Sequence, residues 1–199
     1  MRPKTITYTL GAPDADGLAS DDLSGAGRSF TLDGALASGG TVTLDSPRHI
    51  NVTSANNDAA ITFTVTGTDR RGAALTETIT GVNASTVSGV ENFATVTAVT
   101  ASGATVGVVT VGSGNSAETQ WIPVEYRISS GYNTSVVFST GTMTYSVKGT
   151  LDNPWGSSFN ETTADTVGVG SSPVRAIRCE CSAIDATSGC VFTLTIVHN

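Results

Sequence analysis

The chain has 199 residues, of which 39% are hydrophobic and only 14% charged, with 22 glycines and threonine at about one residue in six. So much apolar content with so little charge argues against a disordered chain, and the Thr and Gly bias disfavours helices. A net charge of −7, with 10 Lys and Arg scattered apart from Arg70-Arg71, argues against a nucleic-acid partner, since phosphate binding needs clustered cations.

Taken in chain order, Thr5-Ile-Thr-Tyr-Thr-Leu10 alternates and predicts a strand. Residues 11–27 are rich in Gly, Ala, Ser and Asp and read as a loop or extended arm. Phe30-Thr-Leu32 and Thr41-Val-Thr-Leu44 predict short strands, Pro47 breaks the run, and Ile50-Asn-Val52 resumes it. Asn56-Asn57-Asp58 supplies turn residues. The clearest signal follows. Ile61, Phe63 and Val65 alternate with Thr62, Thr64 and Thr66; after the turn Asp69-Arg-Arg-Gly72, Leu75 and Ile79 alternate with Thr76, Thr78 and Thr80. A period of two puts the apolar residues on one face and the threonines on the other, which predicts a hairpin with one dry and one wet side.

Phe93-Ala-Thr-Val-Thr-Ala-Val-Thr100 and Val106-Gly-Val-Val-Thr-Val111 predict two further strands around a turn at Ser102-Gly103. Gly112-Ser-Gly-Asn-Ser-Ala117, small and polar, is the best linker candidate. Beyond it Ile122, Val124, Tyr126 and Ile128 share a face, Val136 and Phe138 form a strand, and Met143, Tyr145 and Val147 form another. Asn153-Pro-Trp-Gly156 turns the chain. The end reads as a closing hairpin, with Ile177, Cys179 and Cys181 facing one way on its first strand and Cys190, Phe192, Leu194 and Ile196 on its second. The predicted class is all-β, with antiparallel sandwich or jelly-roll-like units, two in tandem: residues 1–115, with a flexible arm near 11–27, and residues 116–199. A single sandwich with a long insertion is the rival organisation.

No run approaches the roughly 20 apolar residues of a membrane span, so no membrane partner is expected. The start, Met1-Arg-Pro-Lys-Thr5, lacks the apolar core of a signal peptide. Synthesis in a cytosol is the expectation, and an odd set of three Cys fits that reducing compartment.

The segment at residues 50–112 carries Thr-Ser-Ala-Asn-Asn-Asp, Ile-Thr-Phe-Thr-Val-Thr-Gly-Thr-Asp, Leu-Thr-Glu-Thr-Ile-Thr-Gly and Ala-Ser-Gly-Ala-Thr-Val-Gly-Val-Val-Thr-Val-Gly. It resembles a module of the virion structural proteins of tailed bacteriophages. Gly141-Thr-Met-Thr-Tyr-Ser-Val-Lys-Gly-Thr-Leu-Asp-Asn-Pro154 and Ser172-Pro-Val-Arg-Ala-Ile-Arg178 resemble small phage structural proteins. Together these stretches cover about two-thirds of the chain. The resemblance implies a β-sandwich packed onto the capsid or near the neck and tail, without catalytic residues.

The residues that could carry chemistry each have a plainer reading. His49 and His198 are the only histidines, and His49, after Pro47 at a strand entry, shows no sign of the oriented imidazole of a Ser-His-Asp triad. Cys179, Cys181 and Cys190, with His198, invite a zinc site; but sulfurs two apart on a strand stand about 7 Å apart along it, and core thiols fit better. A Cys181–Cys190 cross-strand disulfide is a lesser alternative. Asp14, Asp16, Asp21 and Asp22 could suit calcium, yet their spacing departs from the EF-hand loop and a solvated turn is preferred. The triplets at Asn51, Asn83, Asn133 and Asn160 match the glycosylation pattern by Thr and Ser abundance alone. Trp121, Tyr126, Tyr132, Trp155 and Phe159 could line a glycan surface but read as core plugs or interface anchors.

The expectation is therefore a non-enzymatic structural protein of a tailed-phage virion, assembled in the bacterial cytoplasm. It would be a capsid-surface decoration or cement subunit stabilising the head, with no cofactor, metal or catalytic residue. Its partners would be the major capsid protein or other virion subunits, and copies of itself, as a trimer. A neck, collar or tail component and a glycan-binding surface adhesion module are the alternatives.

Overall fold

A computed structural model describes residues 3–22, 28–124, 132–151, 159–163, 167–170 and 174–198. Tyr126, Ile128, Trp155 and the expected turn at 153–156 lie outside them, as does the last part of the arm, 23–27. Of Asp22, Tyr132, Phe159, Asn160 and His198 only the backbone is described.

The described residues hold strands and no helix. In order they are β1 (Lys4–Leu10), β2 (Ala19–Asp22), β3 (Ala37–Ser38), β4 (Thr41–Ser54), β5 (Thr62–Thr68), β6 (Ala74–Thr80), β7 (Thr86–Ser88) and β8 (Phe93–Ala101). There follow β9 (Val108–Glu118), β10 (Ile122–Pro123), β11 (Tyr132–Gly141), β12 (Met143–Thr150), β13 (Phe159–Thr163), β14 (Val167–Gly170), β15 (Ala176–Ile184) and β16 (Cys190–His198). The strands pair antiparallel, and the class is the all-β, sandwich type the sequence predicts.

By its contacts the chain divides into residues 13–115 and a unit made of residues 1–12 with 116–199. The sequence alone places β1 with residues 1–115. Instead β1 pairs along its whole length with β16, Lys4 opposite Ile196 through Leu10 opposite Cys190. Alternation marks β1 as a strand but cannot choose its partner; that choice rests on the apolar side, where Ile6, Tyr8 and Leu10 join Phe192 and Leu194 in one core.

In residues 13–115 the β5–β6 hairpin has the expected register, with Phe63 opposite Ile79 and Thr64 opposite Thr78. β8 lies on the other side of β5, and β4 beside β8. Phe63, Val65, Ile79, Val96 and Val99 from these strands close on Ile50, Val52, Val109 and Val111 from the later part of β4 and from β9. Each such side chain, fully buried, contributes about 1.5–3 kcal/mol. Pro47 does not end the strand. β4 runs on through it, pairing early with β8 and late with β7, and its register against β8 shifts between Thr43 and Arg48. Phe30 and Leu32 are buried but not in a strand; the Phe30 amide donates to Val99 O and the Ala101 amide to Arg28 O.

Two loop expectations are corrected. The linker candidate 112–117 lies inside β9, and most of it is buried. Its small residues permit close backbone approach: a Cβ on Gly112 would lie 2.0 Å from Asp14 O, and one on Gly114 3.0 Å from His49 O. The arm is likewise tied down over 13–22. Ser113 donates its amide to Asp14 O, Leu18 and Ala19 are buried, and β2 pairs with β9.

In the other unit, β1, β16, β11 and β14 form one sheet in that order. β13, β12 and β15 form a second, with β10 and the last residues of β9 also on β15. The closing hairpin is therefore not one: β15 and β16, although consecutive, belong to different sheets. Their apolar faces meet in the core, where Cys179, Cys181 and Ile177 join Cys190, Phe192, Leu194 and Ile196. Facing sheets and paired strands leave the same alternation in a sequence.

Candidate functional site

Three places gather chemistry-bearing side chains. The first is the outward face of β12 and β15. Arg178 and Glu180 stand two apart on β15, and Lys148 stands opposite Arg178 on β12. Arg178 Nη1 lies 2.5 Å from Glu118 Oε2, its Nη2 donates to Glu180 Oε1, and Lys148 Nζ lies 3.3 Å from Glu180 Oε2. The Arg178 guanidinium also sits 4.7 Å above the Trp121 ring. Arg178 and Glu118 are only 12% and 9% exposed, so each needs the other to offset its desolvation. Of the two expectations for Trp121, the burial matches the core plug: the ring is buried and caps a cation. None of the charged members drew attention in the sequence. The signal available was Arg178-Cys-Glu180, two opposite charges on the polar side of an alternating strand.

The second place is the thiol cluster. Cys179, Cys181 and Cys190 are all buried and free. The Cys179 thiol is pushed far up by its hydrogen bond with Cys181 and by burial, with neighbouring acidic groups adding to both. Burial also raises Cys190. Cys181 Sγ lies 3.1 Å from Met143 Sδ. Thiols held protonated in this way are poor nucleophiles. His198, the fourth ligand imagined for zinc, is described by its backbone only.

The third place surrounds His49, on β4. Burial lowers its pKa, while the carboxylates of Glu77 and Glu91 oppose that shift. Glu77 accepts from the Val90 amide at 2.6 Å and the Glu91 amide at 3.4 Å. That arrangement is a cap on the turn after β7. The Asp14 carboxylate accepts the Asp16 amide in a two-residue turn. Asp21 lies on β2, paired opposite Val109.

A feature of different kind covers the outer side of residues 13–115. Opposite the core face, β5 and β6 present Thr62, Thr64 and Thr66 beside Thr80, Thr78 and Thr76. The array continues onto β8, where Thr100 stands opposite Thr64 and the Thr68 and Thr95 hydroxyls lie 2.7 Å apart. The hydroxyl-bearing positions of β5 and β6 include no charged residue. The sheet of β1 and β16 repeats the pattern, with Thr5 against Thr195 and Thr7 against Thr193.

The chain matches no protein family and no curated protein. Among solved structures it is similar to an allantoicase, at 9% identity and a TM-score of 0.27, over 97% of this chain and 93% of that one. It is similar to the PBSX exported protein XepA, at 10% identity and a TM-score of 0.26, over 98% and 86%. The stem and receptor-binding domain of the spike protein P1 from bacteriophage PM2 gives 8% identity and a TM-score of 0.16, over 99% and 79%. These are weak likenesses among β-rich chains, phage and viral proteins included, and they carry no functional argument.

Proposed function

We propose that the chain is a non-enzymatic structural protein of a tailed-phage virion, and within that class a decoration subunit on the outside of the head. The observation that carries the reading is the charge-free threonine face of β5, β6 and β8. Burying a charge against another protein is costly, whereas a hydroxyl with a neighbouring hydrogen bond is desolvated at far less expense and its methyl group gains from contact. An uncharged face of this kind suits packing against a second protein surface. The sequence resemblance of residues 50–112 to virion structural proteins supplies the class of partner: the major capsid protein, with further copies of this chain around it.

The test is to image purified particles made with and without this protein. Loss of density spread over the shell is the expected result. Loss confined to one vertex or the tail replaces the decoration reading with a neck or tail component, and absence of the chain from purified particles overturns the virion reading altogether.

A further inference from the structure

β5 lies on one side of β6, and no described strand pairs with the other. At the two ends of the β5–β6 hairpin, Asp69 donates its amide to Ala73 O and Gly81 donates to Ile61 O. The register between those points runs without a shift. Leu75, Glu77 and Ile79 therefore exchange hydrogen bonds with β5, while the amides and carbonyls of Thr76, Thr78 and Thr80 point away from it. These three threonines are exposed. Sheet edges are commonly guarded by lysine, proline, a bulge or shortness, and the seven residues of β6 show none of these. The single charge on β6, Glu77, is occupied by the Val90 amide at 2.6 Å. Val90 itself, held beside this edge, is 76% exposed.

We propose that β6 joins two copies of this chain, pairing antiparallel with β6 of the second copy about a two-fold axis at Thr78. Backbone groups directed out of an edge accept an extended strand. Side-chain pairing favours a second β6 as that strand. Threonine already stands across from threonine between β5 and β6, and the Thr5–Thr195 and Thr7–Thr193 hydroxyls lie 3.4 and 3.1 Å apart. Charge then selects the register. A pairing centred on Glu77 sets two carboxylates directly opposite each other, which is unfavourable. Centred one residue later, Thr78 faces Thr78, Thr76 faces Thr80, and Glu77 faces Ile79. The contact is self-complementary, each strand giving and accepting the same bonds. It rests on the edge alone and not on the head-decoration reading, which particle imaging tests separately.

The experiment is sedimentation of the purified full-length chain over a dilution series, with a dimer expected at its concentrated end. Thr78→Pro removes an outward amide but no bond to β5, because Thr78 faces Thr64 in a non-hydrogen-bonded pair. Thr78→Lys sets two ammonium groups across the axis. Both variants are expected as monomers with an unchanged β-type circular dichroism spectrum. Opposed residues in a hydrogen-bonded pair have Cα atoms about 5.5 Å apart, within the span of a disulfide. Oxidised Thr78→Cys should therefore give a covalent dimer, whereas Thr66→Cys, one strand in from the edge, should not. A wild-type chain that stays monomeric throughout the series overturns the proposal. So does a trimer, or a dimer that persists unaltered in folded Thr78→Lys.

Discussion

Arg48 and Asp45 lie three residues apart on one strand and close on each other with two parallel hydrogen bonds, Nε to Oδ1 at 2.8 Å and Nη2 to Oδ2 at 2.7 Å. Arg48 is 2% exposed and its Nη1 reaches Gly114 O at 3.3 Å on β9, whereas Asp45 is 36% exposed. The clamp sits at the register shift of β4, where the strand passes from β8 towards β7. Asp45→Ala takes the carboxylate away from a buried guanidinium and is expected to cost about 2–4 kcal/mol, the lower end reflecting water that reaches Asp45. A lower urea midpoint at unchanged slope would show it. An unchanged midpoint would mean that the bend does not depend on the clamp.

Gly89 makes room for Glu77. A Cβ on Gly89 would lie 2.4 Å from Glu77 Oε2, and the same carboxylate accepts the Val90 amide. Gly89→Ala should displace it and cost about 0.5–1.5 kcal/mol. In a Glu77→Ala background the same glycine change should cost much less, so a double-mutant cycle reads the coupling directly. Additive losses would refute the relationship.

The buried thiols should be unreactive in the folded protein. With Cys179 and Cys190 both raised, a thiol reagent should label none of the three at neutral pH and all three in denaturant. Raising the pH by a unit should speed native labelling little, because opening of the core and not ionisation limits access. Rapid labelling of the native protein would contradict this packing.

His49 titrates below its ordinary value because burial disfavours the imidazolium. Its unfolded form therefore takes up a proton first as the pH falls. The stability it contributes is complete above the unfolded value of about 6.5 and is lost as pH drops through the lower folded value. His49→Gln should flatten this part of the stability curve. An unaltered curve between neutral and mildly acid pH would assign the dependence to other groups.

Gly112 occupies the space where β9 passes the backbone of Asp14 and Ala15. Gly112→Ala must move one chain or the other and is expected to cost about 1–3 kcal/mol or more. Residues 112–117 should also resist limited proteolysis, as a buried strand does and a linker does not. Rapid cleavage there would return the segment to the linker role.

Class and local polarity follow from residue order alone. Alternation of Ile61, Phe63 and Val65 with threonines is a property of the strand alone, so the β5–β6 register and its wet and dry faces were legible without coordinates. Partnership between strands does not follow from residue order. β1 pairs with β16, β15 and β16 face each other instead of pairing, and Gly112 to Ala117 becomes strand because neighbours satisfy its backbone. The ion network of Arg178, Glu118, Glu180 and Lys148 was illegible for the same reason. A period of two reports which way a side chain points, while hydrogen bonds between strands and pairing of buried charges depend on segments far apart in the chain.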